Sequence, residues 1–230
     1  YLNIKEDNLR ILRMKILMGD NTLEDYIGIT ADEFYTRLNE DKHLVPSSSM
    51  PSIGEFLDLL EELEKDGYEE VLAITISSEL SGTYGILKAA IENNYQGSMK
   101  VYVLDSRNAA ISEGYMDLEA LRLFKEGKSL EETIEFLEKL RTNRKQYFMV
   151  DNLRLFVANG RLSGAAGFLG SMMKIKPILE VNDEGKIVPF EKIRTTRKAL
   201  IKMVEYVIAD CKKLDDFVVT YDTSDNIEGL

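Results

Sequence analysis

The sequence predicts an α/β protein in two parts. Three observations carry that expectation. Apolar runs rich in β-branched residues alternate with amphipathic runs of helical spacing. Serine or threonine stands three residues ahead of glutamate where several of the helical runs begin, the spacing of a capping box. One strand, helix and strand follow each other as a βαβ unit, which calls for parallel pairing.

Taken in order, "RILRMKIL" (10–17) reads as a strand. "TADEFYTRLNE" opens a helix with Thr30 and Glu33, and "PSIGEFLDLLEELEKDG" opens another with Ser52 and Glu55 and stops at Gly67. The strand "EEVLAITI" leads into a helix from about Ser81, followed by the strand "MKVYVLD" (99–105) and helices near 113–126 and 129–141. "KQYFMVD" is a strand, "NLRLFVANG" a short helix ended by Gly160, and "AAGFLGSMM" a helix of small residues. "KPILEV", the turn "NDEG" and "KIVPFEKI" predict a hairpin, with a helix over 196–212 and a strand "FVVTYD" over 217–222 to follow. The expected division is 1–145, a first α/β part with a mainly parallel sheet, and 146–230, a second α/β part that is incomplete at its C-terminal end, where a strand and loop lack a closing element.

Composition excludes several classes. With 230 residues and 44% apolar content the chain can bury a full core. No apolar run reaches the roughly 18 residues that read as a membrane span, and the first residues lack a signal-peptide pattern, so no stable membrane insertion is expected. A lone cysteine, Cys211, excludes an internal disulfide and fits a reducing, cytoplasmic setting. The net charge of −11 argues against nucleic acid as a partner. That charge is uneven, because residues 141–202 carry a net +8 and the rest −19. One histidine and one cysteine are too few ligands for a metal site.

Two hydroxyl clusters stand at the entries of helices. Ser77, Ser78, Ser81 and Thr83 follow the strand "EEVLAITI", and Ser47, Ser48, Ser49 and Ser52 lie in "VPSSSMPS" (45–52). A strand that empties into a helix presents unpaired N–H groups and a partial positive charge, which suit an anion. Plain N-capping by Ser81 and Ser52 explains the same residues. A nucleophile at Ser78 or Ser81 would need a base and an elbow motif; neither has Gly-x-Ser-x-Gly around it, and the only histidine, His43, sits in a charged loop. "GAAGFLG" (164–170) reads as close helix packing rather than a phosphate loop.

The block "ISSELSGTY" (76–84) resembles the Ile-Ser-Ser-x-Leu-Ser-Gly-Thr-Tyr signature of the DegV family of bacterial fatty-acid-binding proteins. "SSMPS" (48–52), "VYVLDSRNAAISEGY" (101–115), "GRLSG" (160–164) and "KIKPILEVNDEGKIVPFEKIRTTRKAL" (174–200) fall in that family's order. Ser48 stands where the family has threonine and Met50 where it has glutamine. The resemblance implies two α/β domains with a lipid pocket between them, holding one long-chain fatty acid as ligand and no cofactor. It implies a carrier without catalytic residues, serving a fatty acid kinase subunit that phosphorylates the bound carboxylate. Ser48, Ser49, Ser78 and Ser81 are then the candidate carboxylate contacts, with Ser48 and Ser81 the direct ones by the same resemblance. Leu121, Phe168, Leu169, Met172 and Met173 are candidates for the wall around the acyl tail, since flexible side chains adapt to a mobile chain. Arg161, Arg194 and Arg197 are candidates to meet the partner or the incoming phosphate. The alternatives are an interaction module that binds no lipid and a serine hydrolase.

Overall fold

The computed structural model describes residues 6–41, 43–150, 153–164 and 175–223. Strands β1 (Lys15–Met18) and β2 (Asn21–Glu24) form a hairpin whose turn places Gly19 at a φ of 60°, in the left-handed region where glycine carries no steric penalty. β3 (Ser47–Ser49) pairs on the other side of β1, antiparallel, with Ser48 opposite Ile16. Helices α1 (Ala31–Glu40) and α2 (Ile53–Lys65) both begin with the capping boxes that the sequence predicts, Thr30 with Glu33 and Ser52 with Glu55.

The centre of the first part is the parallel pair β4 (Glu70–Thr75) and β5 (Lys100–Asp105), with α3 (Thr83–Asn93) as the connection that parallel pairing requires. Helices cover both faces. Val71, Ala73, Val101 and Val103 pack towards Phe56, Leu60 and Leu63 of α2 and Leu87 and Ala90 of α3. The alternate residues Leu72, Ile74 and Leu104 pack towards Met116 and Ala120 of α4 (Ile111–Lys125) and Leu137 of α5 (Leu130–Thr142). Burial on both sides is why β4 reads as continuous apolar sequence rather than an alternation.

β6 (Tyr147–Met149), β7 (Ile178–Val181) and β8 (Ile187–Glu191) form an antiparallel sheet in the order β6-β7-β8. α7 (Thr196–Cys211) packs on one face through Ala199, Met203 and Tyr206 against Ile178 and Ile193. The other face joins the first part: Leu179, Val181 and Ile187 bury Leu80, Ile76 and Ala109, together with Leu153 and Phe156 beside and within α6 (Arg154–Ala158).

The α/β class is observed; among the described residues β4 and β5 are the pair of strands that run parallel, and the other first-part strands form the antiparallel sheet β2-β1-β3. Three expectations are corrected. Residues 217–222 form no strand: Phe217, Val218, Val219 and Tyr221 are exposed, and apolar β-type sequence does not hold a strand without a neighbour to pair with. Residues 10–14 precede β1 instead of belonging to it. "SSS", read as a loop before a helix, is itself a strand, because β1 supplies a pairing partner from more than 30 residues away. The small-residue helix expected over "AAGFLGSMM" lies outside the described residues.

Candidate functional site

The carboxyl end of β4 and the segment from Asn108 that follows β5 line a cavity of about 3050 Å³. Parallel strands place the loops that follow them at one edge, where ligands collect in such sheets. The loop after β4 is pinned at its root by Ser77, which is fully buried. Its amide donates to the Asn108 carbonyl at 2.9 Å, its hydroxyl donates to the Gly185 carbonyl at 2.8 Å, and its own carbonyl accepts from the amides of Leu80 and Ser81. Gly185 sits in the β7–β8 turn at a φ of 90°.

Beyond that root the four candidate serines divide. Ser48 and Ser49 on β3, and Ser81 with Thr83 at the start of α3, line the cavity. The two groups meet through Met50, whose methyl carbon would lie 3.0 Å from a Cβ placed on Gly82. Ser81 and Thr83 share a hydroxyl bond of 2.8 Å, and Ser81 Oγ also accepts from the Thr83 amide. One of those two hydroxyl protons is therefore free to donate. Ser81 is not the N-cap: α3 is capped at Gly82 with no side-chain bond and has no acidic residue in its first turn. In α1, α2 and α5 a glutamate occupies that turn. The positive end of α3 thus faces the cavity uncompensated.

Ser78 lies apart from this wall. Its hydroxyl donates to Asp105 Oδ2 at 2.6 Å and its amide to Asp105 Oδ1 at 3.1 Å, while the Arg107 amide reaches the same Oδ1 at 3.0 Å. Asp105, at the end of β5, so ties the loop after β4 to the loop after β5. That second loop is strained: Arg107 and Ala110 both have positive φ, 52° and 53°. Buried Ser106 and Asn108 hold it, with Asn108 Nδ2 donating to the Ser106 carbonyl and Asn108 Oδ1 accepting from the Ser112 hydroxyl at 2.9 Å.

Among the basic candidates, Arg161 comes to the cavity. Its Nε donates to the Leu80 carbonyl at 3.2 Å, next to Ser81, and its guanidinium also bonds the Asn159 carbonyl. Arg194 and Arg197 are exposed and lie away from it, Arg194 with Lys198 at a separate small concavity of about 480 Å³. Arg194 precedes the N-cap Thr195 and so stands ahead of α7, while Arg197 lies in its first turn. Leu121 lines the cavity; Phe168, Leu169, Met172 and Met173 lie outside the described residues.

Sequence reasoning missed Glu113 and Asp117, which stand on the cavity wall of α4 in line with Leu121. Burial, with Glu113 adding to it at Asp117, pushes Glu113 up to about 7 and Asp117 up to about 8. The four-residue spacing of 113, 117 and 121 was the available signal. Among the described residues no group of three or more metal-ligating side chains occurs, and no helix is long and apolar enough to cross a membrane.

A family model described as an uncharacterised protein of the DegV family matches residues 2–226. The chain belongs to the DegV family. Protein DegV of Bacillus subtilis is 36% identical over 210 residues, covering 91% of this chain and 73% of the relative. A DegV domain-containing protein of Clostridium acetobutylicum is 34% identical over 202 residues, covering 88% of this chain and 70% of its own length. Among solved structures, a fatty acid binding DegV family protein from Streptococcus agalactiae superposes with a TM-score of 0.81 at 30% identity, covering 89% of this chain and 71% of that one. DegV of Bacillus subtilis, described as a fatty acid binding protein, superposes with a TM-score of 0.77 at 36% identity, covering 87% and 70%. These DegV relatives share the α/β architecture on which the hydroxyl wall and α4 are mounted here.

Proposed function

We propose that the chain is a non-catalytic carrier that holds one long-chain fatty acid in this cavity. The observation that carries the reading is the wall made by Ser48, Ser49, Ser81 and Thr83 beside the start of α3, whose first turn carries no acidic residue. Hydroxyl and amide donors there satisfy a carboxylate without a buried counter-ion, and an unsatisfied carboxylate would cost several kcal/mol. A dozen methylenes entering the apolar part of the cavity contribute on the order of 10 kcal/mol before the entropy of binding is deducted. The fatty acid binding described for the Streptococcus and Bacillus relatives supports the same ligand class. In this reading Ser78 acts through Asp105 as a tether for the loop, and the parts 1–145 and 146–230 share the ligand between them.

Mass spectrometry of small molecules extracted from the purified protein is expected to find a fatty acid at near-unit stoichiometry; its absence after expression with abundant lipid sinks the reading. Ser81→Ala is expected to weaken fatty acid retention by roughly 1–2 kcal/mol with only a modest loss of stability, from the bond that Ser81 Oγ accepts from the Thr83 amide. A variant that unfolds while its folded fraction binds normally would return Ser81 to a structural role.

The finer reading is that a cytoplasmic fatty acid kinase phosphorylates the bound carboxylate. Arg161, at the cavity beside Ser81, then offsets the negative charge of the incoming phosphoryl group. Arg161→Ala is expected to leave fatty acid binding within about twofold while slowing acyl-phosphate formation at least about tenfold, the loss growing with salt. Unchanged phosphorylation at every salt concentration argues against this role for Arg161.

A further inference from the structure

Glu113, Asp117 and Leu121 stand at intervals of four along α4 and so form one stripe, and all three line the cavity. In the fatty-acid reading an acyl tail runs along this stripe, yet its first two residues are carboxyls. Neither carboxyl has a hydrogen bond or an ion pair among the described residues, and the one charge that acts on Asp117 is Glu113. Their neighbours differ: Glu119 and Glu126 both pair with Arg122, and Glu132 accepts from the Ser129 amide and pairs with Lys128.

Burial without a counter-charge favours the protonated form of both groups. A protonated carboxyl is at once a donor and an acceptor, and against plain methylenes both capacities go unused, at a cost in free energy. A ligand hydroxyl has the same two capacities and completes such a group. A cationic substituent fits worse, because the carboxyls would have to ionise in a half-buried wall, in a cavity whose hydroxyl cluster and helix N-terminus already suit an anion at the other end of the ligand. The two carboxyls lie about 6 Å apart along the helix, so a chain following the stripe passes both.

We propose that the acyl chain held by this cavity carries a hydroxyl group part-way along its length, which Glu113 and Asp117 select; the inference rests on the fatty-acid reading above. Its test is a displacement titration of the delipidated protein with stearic acid and with hydroxystearic acids bearing the hydroxyl at successive positions. At least one hydroxylated isomer is expected to bind about tenfold or more tightly than stearic acid, as a gained buried hydrogen bond requires. In Glu113→Leu/Asp117→Leu the preference should fall to stearic acid, and in Glu113→Gln/Asp117→Asn, which keeps donors and acceptors at both positions, the preference for a hydroxyl should persist. Stearic acid bound as tightly as every isomer, or a preference that survives the leucine pair, overturns the inference and leaves the fatty-acid reading standing. Binding of none of these acids overturns both.

Discussion

Gly185→Ala is expected to destabilise the protein by roughly 2–5 kcal/mol, combining a left-handed backbone penalty with overpacking in a closed site. A Cβ at this position would lie 2.2 Å from Ser77 Oγ, 3.1 Å from Arg107 Cβ and 3.2 Å from Arg107 Cα. None of these atoms has an easy retreat. Ser77 is fully buried, held by its amide to Asn108 and by its hydroxyl to the Gly185 carbonyl, and the Arg107 amide is tied to Asp105. The contact is where the β7–β8 turn closes on the loop that carries Ser81, so the same substitution should loosen fatty acid retention as well. Gly67 is a matched control: its φ is also 90°, but nothing lies within 4 Å of its Cβ position. Gly67→Ala is expected to cost only the backbone part, about 1–2 kcal/mol. Urea unfolding of the two variants separates the terms. Equal losses would mean that the close approach of Gly185 to Ser77 contributes nothing.

Local chemistry made much of the fold legible. The capping boxes at Thr30, Ser52 and Ser129 begin the three helices that bear them, because a cap is settled within four residues of chain. The "NDEG" turn also formed as the sequence implies: Asn182 accepts through its side chain from the amides of Glu184 and Lys186, and Gly185 takes the left-handed φ. What required distant partners was not legible. β3 exists because β1 pairs with it, and 217–222 has the composition of a strand but pairs with none among the described residues.

The candidate site divides along the same line. The resemblance marked both hydroxyl clusters, and the structure sets Ser48, Ser49 and Ser81 around one cavity. The resemblance favoured Ser48 and Ser81 as the direct contacts but gave no physical reason to set Ser78 apart; that reason lies in Asp105, 27 residues after Ser78, which takes both its hydroxyl and its amide. Arg161, Arg194 and Arg197 looked equivalent as members of one basic stretch; packing alone sends Arg161 to Leu80 and leaves the other two on the surface. Glu113 and Asp117 drew no reading from the sequence, and the structure sets both on the cavity wall.

Stability of the delipidated protein is expected to fall as pH rises through the range in which Glu113 and Asp117 remain protonated only when folded. Their folded values, pushed up to about 7 and about 8, lie above the ordinary values of 4.5 and 3.8, so between those limits the native state binds protons that the unfolded chain has released. Where the native state holds more protons, raising the pH favours unfolding. The penalty is absent below about pH 4, grows through the window and is complete above about pH 8, with a slope of up to about 1.4 kcal/mol per pH unit for each group. Most of the chain's other displaced carboxylates act with the opposite sign. Glu55, lowered to about 2 by Lys15 and the Ser52 cap, contributes stability that is present above its unfolded value and lost as pH falls towards 2. Comparing the protein with Glu113→Gln/Asp117→Asn removes these shared contributions. Unfolding free energies measured by urea at pH 5, 6.5 and 8 should show the double variant gaining on the parent as pH rises, because amides have no charge to bury. Parallel curves would mean that water reaches both carboxyls freely. The α4 stripe would then be a solvated face and not a wall of the ligand cavity.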